Sequence, residues 1–189
     1  MSGKGFDRAL LLALDGRAAD ALPLVERALE TAGSDERTSL IDTRANLLAR
    51  LSLGNEGRAA LVELIEERPG DSQLLSSLCW LGGLWQIGLD TLAADCDAAV
   101  TASDFAPGVL DSGALANFRL GKLEAALADA NAALTRNPGL DQTLLLRGII
   151  RSKRGEQGGA TDIAEALRRR AGLRKEYAGY GLLPTKRGR

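Results

Sequence analysis

The chain has 189 residues, 45% apolar and 26% charged, which is enough apolar content to build a core. Its formal net charge is −1, and it contains no histidine, which excludes the ordinary Ser-His and Cys-His nucleophile pairs. Two cysteines are too few for a disulfide framework or a zinc site, and no stretch reaches the roughly 20 apolar residues that cross a bilayer.

No run alternates with period two, so no strands are expected. Residues 3–32 read as a helix pair. The first helix carries Phe6, Ala9, Leu10, Ala13 and Leu14, and Asp15-Gly16-Arg17 makes the turn. The second carries Ala21, Val25, Ala28 and Leu29, and is expected to begin near Pro23 or bend there, because proline removes a helical hydrogen bond. Residues 36–69 form a second pair, with Gly54-Asn55-Glu56-Gly57 as its turn and Ala59 facing Leu47 at the crossing. Residues 71–104 form a third, capped by Asp71 or Ser72. Its first helix is apolar almost all round, the mark of burial on several sides. Gly82-Gly83 within it calls for a close helix contact, assigned here to Ala93 or Ala94.

The pattern is sharpest in residues 107–138 and 141–170, two copies 34 residues apart. Leu110 maps on Leu144, Ala114 on Gly148, Gly121 on Gly155 and Ala126 on Ala160. A fixed period of this size marks a repeat architecture. Small residues at Ala114 and Ala126, and again at Gly148 and Ala160, let two antiparallel helices approach to the short end of the roughly 8–10 Å packing range. Gly121 and Gly155 stand where the first helix of each copy stops. Neither pair can bury its apolar face alone, so neighbours stack. Residues 171–180 are expected to cap the stack, and residues 181–189 to be disordered.

Charge is unevenly spread. Residues 168–189 carry +7 and the rest of the chain −8. The basic end reads as a solvated terminus, with an anionic partner as the sharper alternative. Cys79 and Cys96, 17 residues apart, fall on the two helices of one repeat. Two buried free thiols are the expected reading, and a disulfide is the alternative. As written, the chain is expected in the cytoplasm, or in the periplasm if it is cut from a longer exported protein.

At Gly16, Ala21 and Ala28, at Gly121, Leu123, Ala126, Ala133 and Pro138, and at Gly148, Gly155 and Ala160, the chain resembles the tetratricopeptide repeat (TPR) family. Residues 75–184 are also similar to TPR segments attached to bacterial transglutaminase-like proteins, through LCW at 78–80, ADCDAA at 94–99, LDS at 110–112 and YGLLP at 180–184. The resemblance implies an all-α, right-handed solenoid of about five helix pairs with a C-terminal capping helix. It also implies a concave groove, lined by the first helix of each pair, that holds a peptide. Carried over by position, the groove residues are Arg44 and Leu48; Ser77, Leu81, Leu84 and Trp85; Asp111, Leu115, Phe118 and Arg119; and Ile149 and Lys153. The Lys, Arg and Asn clamp of chaperone-binding members is not visible.

A groove of Leu, Trp and Phe with a few Arg suits an apolar or amphipathic peptide. The function expected is therefore a non-enzymatic protein-protein interaction module, with no cofactor, no metal and no small-molecule substrate. The alternatives are a self-associating scaffold built on the apolar third repeat, and nucleic-acid or membrane contact through the basic end. Trp80 reads as core; for Trp85 and Phe118 core packing, and for Arg44 and Arg119 ordinary surface charge, stand beside the groove reading.

Overall fold

The computed structural model describes residues 3–184. Among them are α-helices and no strand. They are α1 (Gly3–Leu14), α2 (Ala18–Thr31), α3 (Ser34–Arg50), α4 (Gly54–Glu67), α5 (Ser72–Trp85), α6 (Leu92–Ala102), α7 (Pro107–Arg119), α8 (Leu123–Arg136), α9 (Asp141–Lys153), α10 (Gly159–Arg169) and α11 (Leu173–Gly179). They stack as five antiparallel pairs, α1/α2 to α9/α10, with α11 last. First helices of successive repeats touch one another, α3 on α5, α5 on α7 and α7 on α9. Second helices pack instead on the first helix of the next repeat, α2 on α3 and α8 on α9. The first helices therefore form the inner, concave wall.

One turn recurs five times. The residue two positions beyond each first helix takes a left-handed φ: Gly16 at 78°, Ser52 at 65°, Gly121 at 75° and Gly155 at 71°, with Gln86 at 58° directly after α5. In each case the next amide donates back to a carbonyl five residues earlier, as in Leu53 to Leu48 and Lys122 to Asn117. This is the helix-ending arrangement that glycine adopts most readily. Ser52 and Gln86 adopt it without being glycine, so the turn of the second repeat is Leu51–Leu53, not the expected Gly54–Gly57. Gly54 and Gly57 belong to α4. The crossing there is Ala45 on Gly57, where an added Cβ would sit 2.7 Å from the Ala45 Cα. Ala59 is exposed.

Counted from these turns, the small crossing position of the first helix is Ala9, Ala45, Cys79, Ala114 and Gly148, always seven residues earlier. The expected Ala114–Ala126 pair is fully buried. In the fifth repeat the second helix is one residue early. Gly148 therefore meets Gly159 and Ile163, with their atoms 2.8 Å from any Cβ placed on Gly148, and Ala160 is exposed. Gly82 packs on Leu92 and the Ile87 carbonyl, and Gly83 on the backbone of Ala116 in α7, rather than on Ala93 or Ala94. Pro23 lies inside α2, which starts five residues before it.

The thiol reading is overturned. Cys79 and Cys96 form a disulfide joining α5 to α6, with Cα atoms 4.7 Å apart and both residues buried. Cys96 falls where the other second helices place Val25, Leu61, Ala130 and Ile163, opposite the small crossing residue. Both sulfurs thus enter the one gap that every repeat closes.

The expected tail is corrected as well. α11 ends in the same turn, with Gly181 at φ 67° and the Leu182 amide donating to the Tyr177 carbonyl. Leu182 is then buried, so the fold reaches past residue 180; residues 185–189 of the expected tail lie outside the described residues. Leu173, Tyr177 and Leu182 join one core with Leu84, Leu115, Leu145 and Ile149.

Candidate functional site

The inner wall is read most simply in rows counted back from the turn residue. Ten residues before it stand Asp42, Ser76 and Asp111. Six before it stand Asn46, Trp80, Leu115 and Ile149. Two before it stand Arg50, Leu84, Arg119 and Lys153. The wall thus carries an acid in α3 and in α7, is largely apolar in its middle row and is basic near the end of α3, α7 and α9.

The C-terminal segment lies on this wall. Tyr177 is buried, and its hydroxyl donates to the Gln142 carbonyl in α9 at 3.2 Å. Tyr180 meets Trp85 edge to face, centroids 5.7 Å apart, an arrangement aromatic pairs favour. Arg119 reaches from α7 to the Tyr180 carbonyl at 2.6 Å. It also donates to the Gly83 and Leu84 carbonyls at the end of α5, at 3.1 and 3.4 Å. Partial burial pulls the Arg119 guanidinium below its ordinary pKa. Arg50 lies 5.5 Å from the centre of the Trp85 ring, and Lys153 5.1 Å from that of Phe118, both within cation–π range.

Asp111 is the most perturbed acid of the wall. Burial pushes its pKa up to about 6, with the Thr143 hydroxyl pulling the other way. Neither Asp111 Oδ1 nor Thr143 Oγ1 makes a hydrogen bond of good geometry, and the Trp85 indole Nε1 is likewise unpaired. Asp42 is raised too, by burial, with the Ser77 side chain hydrogen-bonded to it and pulling the other way.

Of the residues read from the sequence, Trp85, Asp111, Phe118, Arg119 and Lys153 come together on this wall, with Leu84, Leu115 and Ile149 buried beneath the segment. Ser77 faces Asp42. Leu48 and Leu81 are core, 2% and 0% exposed. Arg44 is on the other side: it pairs with Glu26 of α2 and lines an outer cleft with Leu29, Glu63 and Glu67. The errors share a cause. Gly54 opens the expected turn of the second repeat, and a strict 34-residue spacing from Gly121 puts that of the third at residue 87, but the left-handed residues that end α3 and α5 are Ser52 and Gln86, which shifts the register by two and by one. Sequence reasoning also missed Asp42, Arg50 and Trp80. Trp80 is half-buried against the same core as the segment, and not deep core. The spacing ahead of the turn would have found all three, once the turns were placed.

The third repeat and the start of the basic end are engaged within the chain. The third repeat's apolar residues Leu74, Leu78, Leu81 and Leu84 are used internally, each at most 5% exposed. In the basic end, Arg168 pairs with Glu165, Arg169 with Glu165 and Asp141, and Arg170 with Glu176.

No protein-family model matches the sequence, and no curated protein matches it. Solved structures do match. A thermophilic TPR protein of Thermus thermophilus aligns over 97% of this chain and 100% of its own, at TM-score 0.77 and 19% identity. MamA of Desulfovibrio magneticus aligns over 88% of this chain and 93% of its own, at 0.62 and 12%. YrrB, described as a TPR protein with an unusual peptide-binding site, aligns over 90% and 87%, at 0.56 and 14%. At these identities the likeness is one of fold. The similarity to segments of transglutaminase-like proteins finds no support in these matches.

Proposed function

We propose that this chain, whose fold is that of the tetratricopeptide repeat proteins, holds an apolar or amphipathic segment of another protein on its concave wall and catalyses nothing. One observation carries the reading. The wall already seats a peptide segment, with Arg119 donating to its backbone at Tyr180 and Trp85 against its side chain. Apolar anchoring with a backbone clamp is how extended and helical segments are recognised. The Cys79–Cys96 disulfide favours an oxidising compartment over the cytoplasm for this work.

The test is capture from the source cell's lysate, with wild type beside a Trp85→Ala, Phe118→Ala, Arg119→Ala variant shown to be helical by circular dichroism. A protein held by wild type and lost by the folded variant is the expected result. Equal capture by both places the site elsewhere and ends this reading.

A second reading, self-association, is favoured at the other end of the stack. Five residues before each turn stand Leu11, Leu47, Leu81, Ala116 and Ile150. The last four are at most 2% exposed and cluster with the second helix of the preceding repeat. Leu11 is 64% exposed, beside Leu14 at 84%. This surface is shaped to stack on another helix, and a second copy supplies one. Light scattering over a dilution series is expected to show a dimer that Leu11→Lys, Leu14→Lys turns into a monomer. A wild type that stays monomeric at every concentration removes the reading.

A further inference from the structure

We infer that residues 177–183 are a tethered ligand of the chain's own groove, and that the outside partner competes with them by presenting the same chemistry. That chemistry is an aromatic side chain, a small residue and two leucines, with a backbone carbonyl open to Arg119. The inference rests on the peptide-holding reading above and names the class of peptide.

Three observations carry it. The segment occupies the wall through contacts far apart in sequence: Tyr180 with Trp85, Arg119 with the Tyr180 carbonyl, and Leu182 in the core of the last three repeats. α11 rests on α10, but the Tyr177 hydroxyl also reaches α9, and Tyr180, just beyond α11, meets Trp85 of α5 and Arg119 of α7. Second, the segment is delivered by a built turn. Gly181, left-handed at φ 67°, reverses the chain so that Leu182 enters the core. Third, the fit is good for apolar groups and poor for polar ones. Among the described residues the Trp85 indole Nε1 is buried without a hydrogen-bond partner, and Asp111 Oδ1 and Thr143 Oγ1 lie beside each other without a well-formed bond. All three are on first helices, α5, α7 and α9, in the repeats the segment covers. A ligand that leaves such groups unmatched is displaced by one that matches them. Tethering supplies the compensation: an attached segment acts at an effective concentration of about millimolar, so an imperfect ligand still fills its site.

The experiment uses the full chain and a fluorescein-labelled peptide of residues 176–184, EYAGYGLLP, followed by fluorescence anisotropy. Tyr180→Ala with Leu182→Ala frees the groove. The peptide is expected to bind this variant at least about tenfold more tightly than wild type, because the tether no longer competes. Adding Arg119→Ala is expected to abolish that gain. Equal binding to wild type and the freed variant overturns the inference, and so does the absence of binding to either. If the double variant melts below the working temperature, Tyr180→Ala alone carries the same comparison. A lysate partner captured no better by the freed variant than by wild type overturns the tether while leaving the peptide-holding reading intact.

Discussion

Replacing both cysteines by alanine is expected to lower the melting temperature by about 6–12 °C. The disulfide closes a loop of 17 residues, and a loop of that size restricts the unfolded chain by about 3 kcal/mol. In a chain of this length each kcal/mol moves the midpoint by about 2–4 °C. The native state tolerates the change, since alanines at the two sites reproduce the Ala114–Ala130 pair of the fourth repeat, where both residues are fully buried. The loss therefore falls on the unfolded state, and helix content at low temperature stays unchanged. Thiol titration of the denatured, unreduced wild type is expected to find no free sulfhydryl. Two titratable thiols, or a double variant that melts with wild type, would show that the bond contributes nothing. Because stacked repeats are stabilised by their neighbours, the third repeat is also expected to open first when the bond is missing.

The second large effect depends on pH. Asp111 has a pKa of about 6 in the folded chain, raised from 3.8 chiefly by burial. Between those values the native state holds the proton more tightly than the unfolded state does. Stability from this group is therefore present at low pH and is lost as pH rises through about 6. Two pKa units correspond to about 3 kcal/mol at most. Asp111→Asn stays neutral throughout. The expected result is that urea denaturation finds the variant gaining on wild type by about 2–3 kcal/mol between pH 4 and pH 7.5. Comparing the two pH values cancels the fixed cost of an unmatched amide, and it cancels the titration of Asp42 and Asp129, which both proteins share. A difference that is the same at both pH values would mean that Asp111 is charged in the native state at both.

Both effects arise in the third to fifth repeats, where the disulfide, the aromatic residues and the folded-back segment lie together. The first two repeats hold their places with the same turns and crossings but have no such reinforcement. Their cores, around Val25 and Leu47 and around Leu61 and Leu74, form separate clusters along the stack. The C-terminal segment therefore lies on the most heavily braced part of the chain.

The sequence by itself determined the architecture. A helix pair repeats at close to 34 residues, glycines end the first helix at Gly16, Gly121 and Gly155, and small residues mark the crossings at Ala9, Ala114 and Gly148. These signals are local, and each acts within one turn or one crossing. Tertiary structure decided what local chemistry leaves open. Ser52 and Gln86 take a left-handed turn that their types do not announce, because stacking on the neighbouring repeats fixes where α3 and α5 must end. Cys79 and Cys96 pair because the helix crossing brings their Cα atoms to 4.7 Å, a distance that 17 residues of separation do not specify. Tyr180 fills the groove because the superhelix carries Arg119 and Trp85, from two earlier repeats, to the place where the chain ends its last turn. No local pattern encodes such a contact; it exists only once the repeats have stacked.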